Sequence, residues 1–246
     1  MKLLIVLITF NRLAYTKKTL KYLHDTIDVH TDYHLVVVDN NSTDGTQEYL
    51  KNLLKRNRID QLILNPKNYY PGKACNIGWF EGLKKYPQAT HLMRLDNDMC
   101  LLKGWDLKAA EYFENIPELG QLGLDHNAVA GPEAQGKRLT LNGMTINHWP
   151  GNVGGPNIIS KAVWDKGIIY DEQPWHTDGP GTRPLQEDSK FSQLIMVKGF
   201  IMGHWTDRLG YTFADETNWH EYPEYYEKTF KERGYDDMLD KITRKG

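Results

Sequence analysis

The sequence predicts an α/β protein whose mixed, mostly parallel sheet is flanked by helices. Three observations predict it. Short apolar stretches alternate with helix-period stretches through the first half, which is the rhythm of parallel strands joined by crossover helices. Those apolar stretches are continuous rather than alternating, as strands buried on both faces are. Several of them stop at polar residues, on the rim where such sheets bind ligands.

Strands are expected at residues 3–9, 34–39, 61–65 and 90–95. Between them, residues 13–24 carry Leu13, Thr16, Leu20 and Leu23 on one face. Residues 43–54 carry Tyr49, Leu50, Leu53 and Leu54, and residues 73–86 carry Ile77, Phe80, Glu81 and Lys84 at helical spacing. Ser42 or Thr43 is suited to cap the second helix, with Asp44 or Gly45 in its first turn. Residues 104–116 read as a helix facing inward with Trp105, Ala109, Tyr112 and Phe113, followed by a strand at 119–124. A loop is expected at 131–136. Residues 138–149 alternate around Asn142-Gly143, the dipeptide of a tight hairpin turn. The glycine-rich loop 151–157 serves backbone geometry or lets a substrate approach closely; both readings stay open. A short helix from Lys161 ends by Gly167. A loop of more than a dozen residues spans 170–184, a length that is usually functional. A helix then runs from 186 to 197 with Phe191, Leu194 and Ile195 as its buried face, and a final strand spans 200–205. The tail, 221–244, mixes charge with tyrosines as one or two amphipathic helices. No internal repeat or low-complexity segment is present.

The chain of 246 residues is long enough for a sizeable core. Its net charge of −2 gives no basic footprint, which speaks against a dedicated nucleic-acid binder. The two cysteines, Cys75 and Cys100, have no zinc or disulfide spacing, so a reducing compartment is expected. The apolar run at residues 3–8 is far shorter than the ~20 residues of a membrane span. The expectation is a cytoplasmic protein without a transmembrane segment.

The residues that bear chemistry sit at strand ends. Asp96-Asn97-Asp98 sets two carboxylates at i and i+2, able to share a face. Close carboxylates are costly unless a cation lies between them, and a divalent cation on a phosphorylated ligand would supply that charge. An Asx-rich turn is the plain alternative. Asp39 ends an apolar strand, is not needed as a cap, and suits a hydrogen bond to a base or ribose.

The motif order resembles the family 2 nucleotide-sugar glycosyltransferases of the GT-A fold, over roughly residues 3–205. Five features carry the resemblance: Ile8-Thr9-Phe10-Asn11-Arg12; Val37-Val38-Asp39 through Thr46; Asn68 through Gly72-Lys73-Ala74-Cys75-Asn76-Ile77-Gly78; Leu95-Asp96-Asn97-Asp98; and Glu187-Asp188. The resemblance implies a GT-A domain at 1–205, with a nucleotide-sugar half at 1–100 and an acceptor half at 101–205, and a C-terminal extension at 206–246 packed on it. It implies an inverting transfer from a nucleotide diphosphate sugar, a UDP- or GDP-sugar, to an acceptor hydroxyl. Asp98 and Asp96 would hold Mn²⁺ or Mg²⁺, with Asp96 also touching the ribose; His204 would be a further metal ligand or an ordinary histidine at a strand end. Asp39 would recognise the base, beside Thr9, Asn11 and Arg12. Lys73 and Asn76 would line the diphosphate side. Asp188 would be the catalytic base and Glu187 would orient the acceptor.

There are departures. Asn40 stands where many relatives carry a second acidic residue, and Cys75 where an arginine is common, so Lys73 would take the phosphate-facing role. The Gln-x-x-Arg-Trp motif of processive synthases is absent, which speaks against polymer extrusion. A nucleotidyltransferase and a non-catalytic nucleotide-sugar binder remain alternatives, although residues 9–12 lack the former's glycine-rich first loop. The acceptor stays open between glycan, protein, lipid and modified nucleic acid. The aromatic stretches 170–184 and 205–219 are candidates for its wall.

Overall fold

A computed structural model describes residues 1–125, 137–148, 153–173, 187–207, 209–213, 219–233 and 239. Its first half follows the expected alternation: β1 (Lys2–Thr9), α1 (Leu13–Thr26), β2 (Asp32–Asp39), α2 (Thr46–Lys55), β3 (Gln61–Leu64), α3 (Tyr70–Lys85) and β4 (His91–Asp96). These four strands are parallel neighbours in the order β3-β2-β1-β4. Their register sets the strand ends level, Thr9 opposite Asp39, Asp39 opposite Leu64 and Ile8 opposite Asp96. The polar residues that end the strands therefore share one rim.

The second half extends the same sheet. After β5 (Met99–Leu101) and α4 (Trp105–Asn115) come β6 (Leu119–Gly123), β7 (Lys137–Leu141), β8 (Met144–His148), β9 (Asn157–Ser160), α5 (Lys161–Asp165), α6 (Glu187–Val197) and β10 (Ile201–Trp205). The described strand order continues as β9-β6-β10-β8-β7. β9 runs antiparallel between β4 and β6, so its first residue, Asn157, lies opposite Arg94, near the rim where β4 ends. β10 runs parallel to β6, and α6 precedes it, so the first turn of α6 also starts at that rim. Topology thus brings Asp96, the chain before β9 and the start of α6 to one place. The hairpin forms as expected, with Asn142 and Gly143 at φ 47° and 83°, both in the left-handed region its turn demands.

Side chains of β1 alternate between two cores. Leu3, Ile5 and Leu7 pack with α1, α2 and α4 through Leu20, Leu50 and Trp105. Leu4, Val6 and Ile8 pack with α3, α5 and α6 through Trp79, Val163 and Phe191. The result is a sheet between two helical layers.

Four expectations are corrected. The face of α3 that meets the sheet is Cys75, Gly78, Trp79 and Gly82, while Phe80 is exposed. The glycines allow the approach: a Cβ on Gly78 would lie 2.5 Å from Val6 Cγ1. Leu194 of α6 is exposed. Neither Ser42 nor Thr43 caps α2, whose N-cap is Gly45 at φ 91°. β10 is not the last strand: β11 (Gly210–Thr212) pairs antiparallel with β5 in a second, two-stranded sheet. A short 3₁₀ turn (Trp219–Glu221) and α7 (Pro223–Arg233) follow. The expected loop at 131–136 and most of the loop at 170–184 lie outside the described residues, as do parts of 151–157, 205–219 and 221–244. No described helix is long and apolar enough to cross a membrane.

Candidate active site

A cleft of about 800 Å³ opens over the common rim. Asn11, Arg12, Asn40, Asp96, Asn97 and Asp98 line it from the strand ends. Gly155, Glu187 and Asp188 line it from the second half, and Tyr222, Tyr225 and Tyr226 from the 3₁₀ turn and α7 region.

The two aspartates of Asp-x-Asp each meet an arginine. Asp98 Oδ2 accepts from Arg12 Nη1 at 3.0 Å. Arg12 sits in the left-handed region at φ 57°, as N-cap of α1, and also donates to Asn97 Oδ1 at 2.5 Å and to the Tyr226 hydroxyl at 3.2 Å. Its guanidinium lies 4.4 Å from the centre of the Tyr225 ring. Asn97 fastens the turn itself, donating to the Asn11 carbonyl and to Thr16 Oγ1. Burial pushes the Asp98 carboxyl above its ordinary pKa and the like charge of Asp96 adds to this, while Arg12 opposes both.

Asp96 faces the other side of the cleft. Arg94 Nε and Nη2 donate to its two oxygens at 3.0 and 3.3 Å. Arg94 Nη1 continues to Glu187 Oε1 at 3.1 Å. Next to Glu187, Asp188 is buried, and the backbone N–H of Ser189 donates to its Oδ1 at 2.7 Å. Burial pushes the Asp188 carboxyl up to about 6, Glu187's charge adds to the rise, and Arg94 limits it. A carboxyl in that range can take a proton near neutral pH.

The remaining expected residues stand elsewhere. Asp39 is fully buried and does not line the cleft. Its oxygens accept from Thr9 Oγ1 at 2.8 Å, Ser42 Oγ at 2.5 Å, the Ser42 N–H at 2.8 Å and Gln47 Nε2 at 3.0 Å. Asp39 and Thr9 thus hold the Ser42 loop from behind, and Asn11 secures it from the cleft side through Thr43 N–H and Ser42 Oγ. Lys73 pairs with Glu172 at 2.9 Å and opens on a small recess outside the main cleft. Asn76 is buried and grips the backbone of Tyr170 with both ends of its amide, at 2.9 and 3.0 Å. His204 is buried in β10, opposite Asn147 and Gly123, and is not among the cleft residues. The structure therefore gathers Asn11, Arg12, Asp96, Asp98, Glu187 and Asp188, and leaves Thr9, Asp39, Lys73, Asn76 and His204 outside.

Two contributors escaped the sequence reading. Arg94 is a single charge inside an apolar strand, and its i, i+2 relation to Asp96 was the available signal. The α7 tyrosines reach the cleft by tertiary packing, for which their spacing gave no sign. At Gly155 the close neighbours are Arg94 and Asp96, whose side chains fill the space a Cβ would need.

Residues 4–142 match the model of the family described as glycosyl transferase family 2. The chain belongs to that family. A search of curated proteins finds no match. Among solved structures, S. aureus TarS aligns over 90% of this chain and 38% of its own, at 17% identity and TM-score 0.63. The mannosyltransferase PcManGT from Pyrobaculum calidifontis, solved with GDP-Man and Mn²⁺, aligns over 90% and 59%, at 13% identity and TM-score 0.66. GalNAc-T7, solved with UDP, GalNAc and Mn²⁺, aligns over 83% and 42%, at 12% identity and TM-score 0.63. The chain thus has the GT-A fold of these neighbours, and spans less than two thirds of each.

A divalent cation fits the family-2 cleft by its donor set. Among the described residues no group of three His, Cys, Asp or Glu side chains is arranged to hold a metal. Two carboxylates from a strand end, completed by ligand phosphates and water, suit Mg²⁺ or Mn²⁺. Charge points the same way. Asp44, Asp96, Asp98, Glu187, Asp188 and the acidic residues of α7 outnumber Arg12, Arg94 and Lys228 along the cleft. So many carboxylates repel a diphosphate, a repulsion that a divalent cation would offset.

Proposed function

We propose that this family 2 protein is an inverting, metal-dependent glycosyltransferase that moves a sugar from a UDP- or GDP-sugar to an acceptor hydroxyl. The observation that carries this reading is Asp188, a buried carboxyl pushed up to about 6, lining the same cleft as the carboxylates of Asp96 and Asp98. The ligands of the neighbouring structures, GDP-Man in one and UDP and GalNAc in another, each with Mn²⁺, support the donor class and the cation.

In this reading Asp188 takes the proton of the acceptor hydroxyl as its oxygen attacks the anomeric carbon. Attack comes from the face opposite the diphosphate, so the new glycosidic bond forms as the old carbon–oxygen bond breaks and the configuration inverts. The transition state has oxocarbenium character, as in glycoside hydrolysis. Asp98 and Asp96 would hold the cation, which when bound neutralises the charge leaving on the nucleoside diphosphate. Asn11, Arg12 and Asn40 flank the nucleotide, and Thr9 and Asp39 keep that rim in shape. Glu187 orients the acceptor.

The test is incubation with a panel of UDP- and GDP-sugars and Mn²⁺, with water or simple glycosides as acceptor. Release of nucleoside diphosphate with an inverted anomeric product is expected. Pyrophosphate among the products would point to nucleotidyl transfer instead, and no turnover of any donor would overturn the catalytic reading.

A further inference from the structure

Arg94 is the charged residue of an otherwise apolar run in β4, and it is buried. Each of its three guanidinium nitrogens donates a hydrogen bond, and the acceptors belong to two elements distant in sequence. Nε and Nη2 take both oxygens of Asp96, at the end of β4. Nη1 takes Glu187, the first residue of α6. The group has little freedom to turn. The centre of the Tyr170 ring lies 5.1 Å from it, and that ring stacks on Phe191 of α6 at 3.9 Å. The Tyr170 hydroxyl is fixed by Asn157 Nδ2 at 2.9 Å. The backbone at Gly155 closes over the Arg94–Asp96 pair so tightly that a Cβ there would overlap it.

An ion pair that served stability alone would need one carboxylate. Here the fork spans two, one at the end of β4 and one in the first turn of α6. Among the described hydrogen bonds it is the one side-chain link between the first turn of α6 and the strand that carries Asp96.

We propose that Arg94 is a positioning residue for the transfer reaction: its fork ties Glu187, and with it the first turn of α6 that bears Asp188, to Asp96 on the donor side. This rests on the glycosyltransferase reading above. The geometry of base and donor is then set by one planar group, and lysine, with a single nitrogen, cannot reproduce the two-nitrogen grip on Asp96 while also reaching Glu187. Displacing a reacting group by about 1 Å costs about 10²-fold in rate.

The experiment measures donor turnover with Mn²⁺ for the wild type, Arg94→Met, Arg94→Lys, Glu187→Met and the two double variants. The expected result for Arg94→Met is a kcat lower by about 10²-fold, with the donor KM changed much less. Arg94→Lys keeps the charge that compensates the two carboxylates and recovers only part of kcat. In the Glu187→Met background, where the hydrogen-bond acceptor is gone, either Arg94 substitution adds little, because residues that act through one another are not additive. Should Arg94→Met fail to fold, the lysine variant and its double variant complete the cycle. Wild-type kcat in both Arg94 variants, or fully additive losses in an active protein, would overturn the inference and leave the transferase reading standing. No turnover by the wild type would overturn both.

Discussion

Asp98 and Asp96 lie two residues apart, line one cleft and each meet an arginine, yet the two sides of the cleft are built differently. On the Asp96 side, every nitrogen of Arg94 is used and the group is walled in by Tyr170 and Gly155. On the Asp98 side, Arg12 comes from a left-handed N-cap, and its buried Nε has no hydrogen-bond partner. Its other neighbours, Tyr225 and Tyr226, belong to α7 near the end of the chain. A buried ion pair holds when all its protons are satisfied, and an orphaned donor weakens it. The comparison assigns different tasks. In the proposed reaction Asp98 would be the first carboxylate to leave its arginine for the cation, and Asp96 would meet the cation while still held by Arg94.

The largest expected effect breaks the Asp98 side. Asp98→Ala should lower turnover by about 10³-fold, the upper end for losing a group that stabilises charge in the transition state. Asp96→Ala should cost less in turnover and more in thermal stability, because it strands Arg94. Kinetics and melting curves on the two variants together check this, and equal kinetic losses would erase the distinction.

Asp188→Asn comes next, with a loss of about 10²- to 10⁴-fold, the range for a general base. It also carries a signed stability effect. The native carboxyl titrates at about 6 against an ordinary value of 3.8, so the native state binds the proton more tightly. Its stabilising contribution is full below pH 3.8 and is lost as pH rises through about 6. The asparagine variant, which does not titrate, should therefore exceed the wild type by about 1–3 kcal/mol at pH 8, with the advantage fading below pH 6. Denaturation at pH 5 and pH 8 measures it. The wild-type pH profile follows from the same group, with kcat/KM falling as pH drops below about 6. A flat profile from pH 5 to 8 would remove Asp188 as the base.

The smallest effect sharpens the Arg12 side. Tyr226→Phe deletes the hydroxyl that accepts from Arg12 and should cost about 1 kcal/mol, with turnover nearly unchanged. A loss as large as that of Asp98→Ala would mean that α7 is part of the machinery.

The legible parts of the chain were those whose signal is local. Continuous apolar runs announced β1 to β4, Asn142-Gly143 announced the hairpin, and the polar strand ends announced the rim. The face of α3 was misread because Gly78 and Gly82 add nothing to an apolar stripe, although their lack of a side chain is what seats the helix on Val6 and Leu4. Asp39 had the right position for a base-reading residue, but its partners Thr9, Ser42 and Gln47 meet only in three dimensions and turn the carboxylate inward. His204 and Asn76 differ from the cleft residues for the same reason. Their sequence context set the element, and packing set the direction. Arg94 was hidden by the strength of the strand around it.

The most direct test of the central claim, that this acidic cleft takes a nucleoside diphosphate through a cation at Asp98, is a thermal-shift titration. UDP and GDP are added to the wild type and to Asp98→Ala, with Mn²⁺ or with chelator. A ligand that binds only the native state raises Tm by mass action. The expected result is a concentration-dependent rise for the wild type with Mn²⁺, absent with chelator and absent in Asp98→Ala. An equal rise with chelator present, or in the variant, would contradict it.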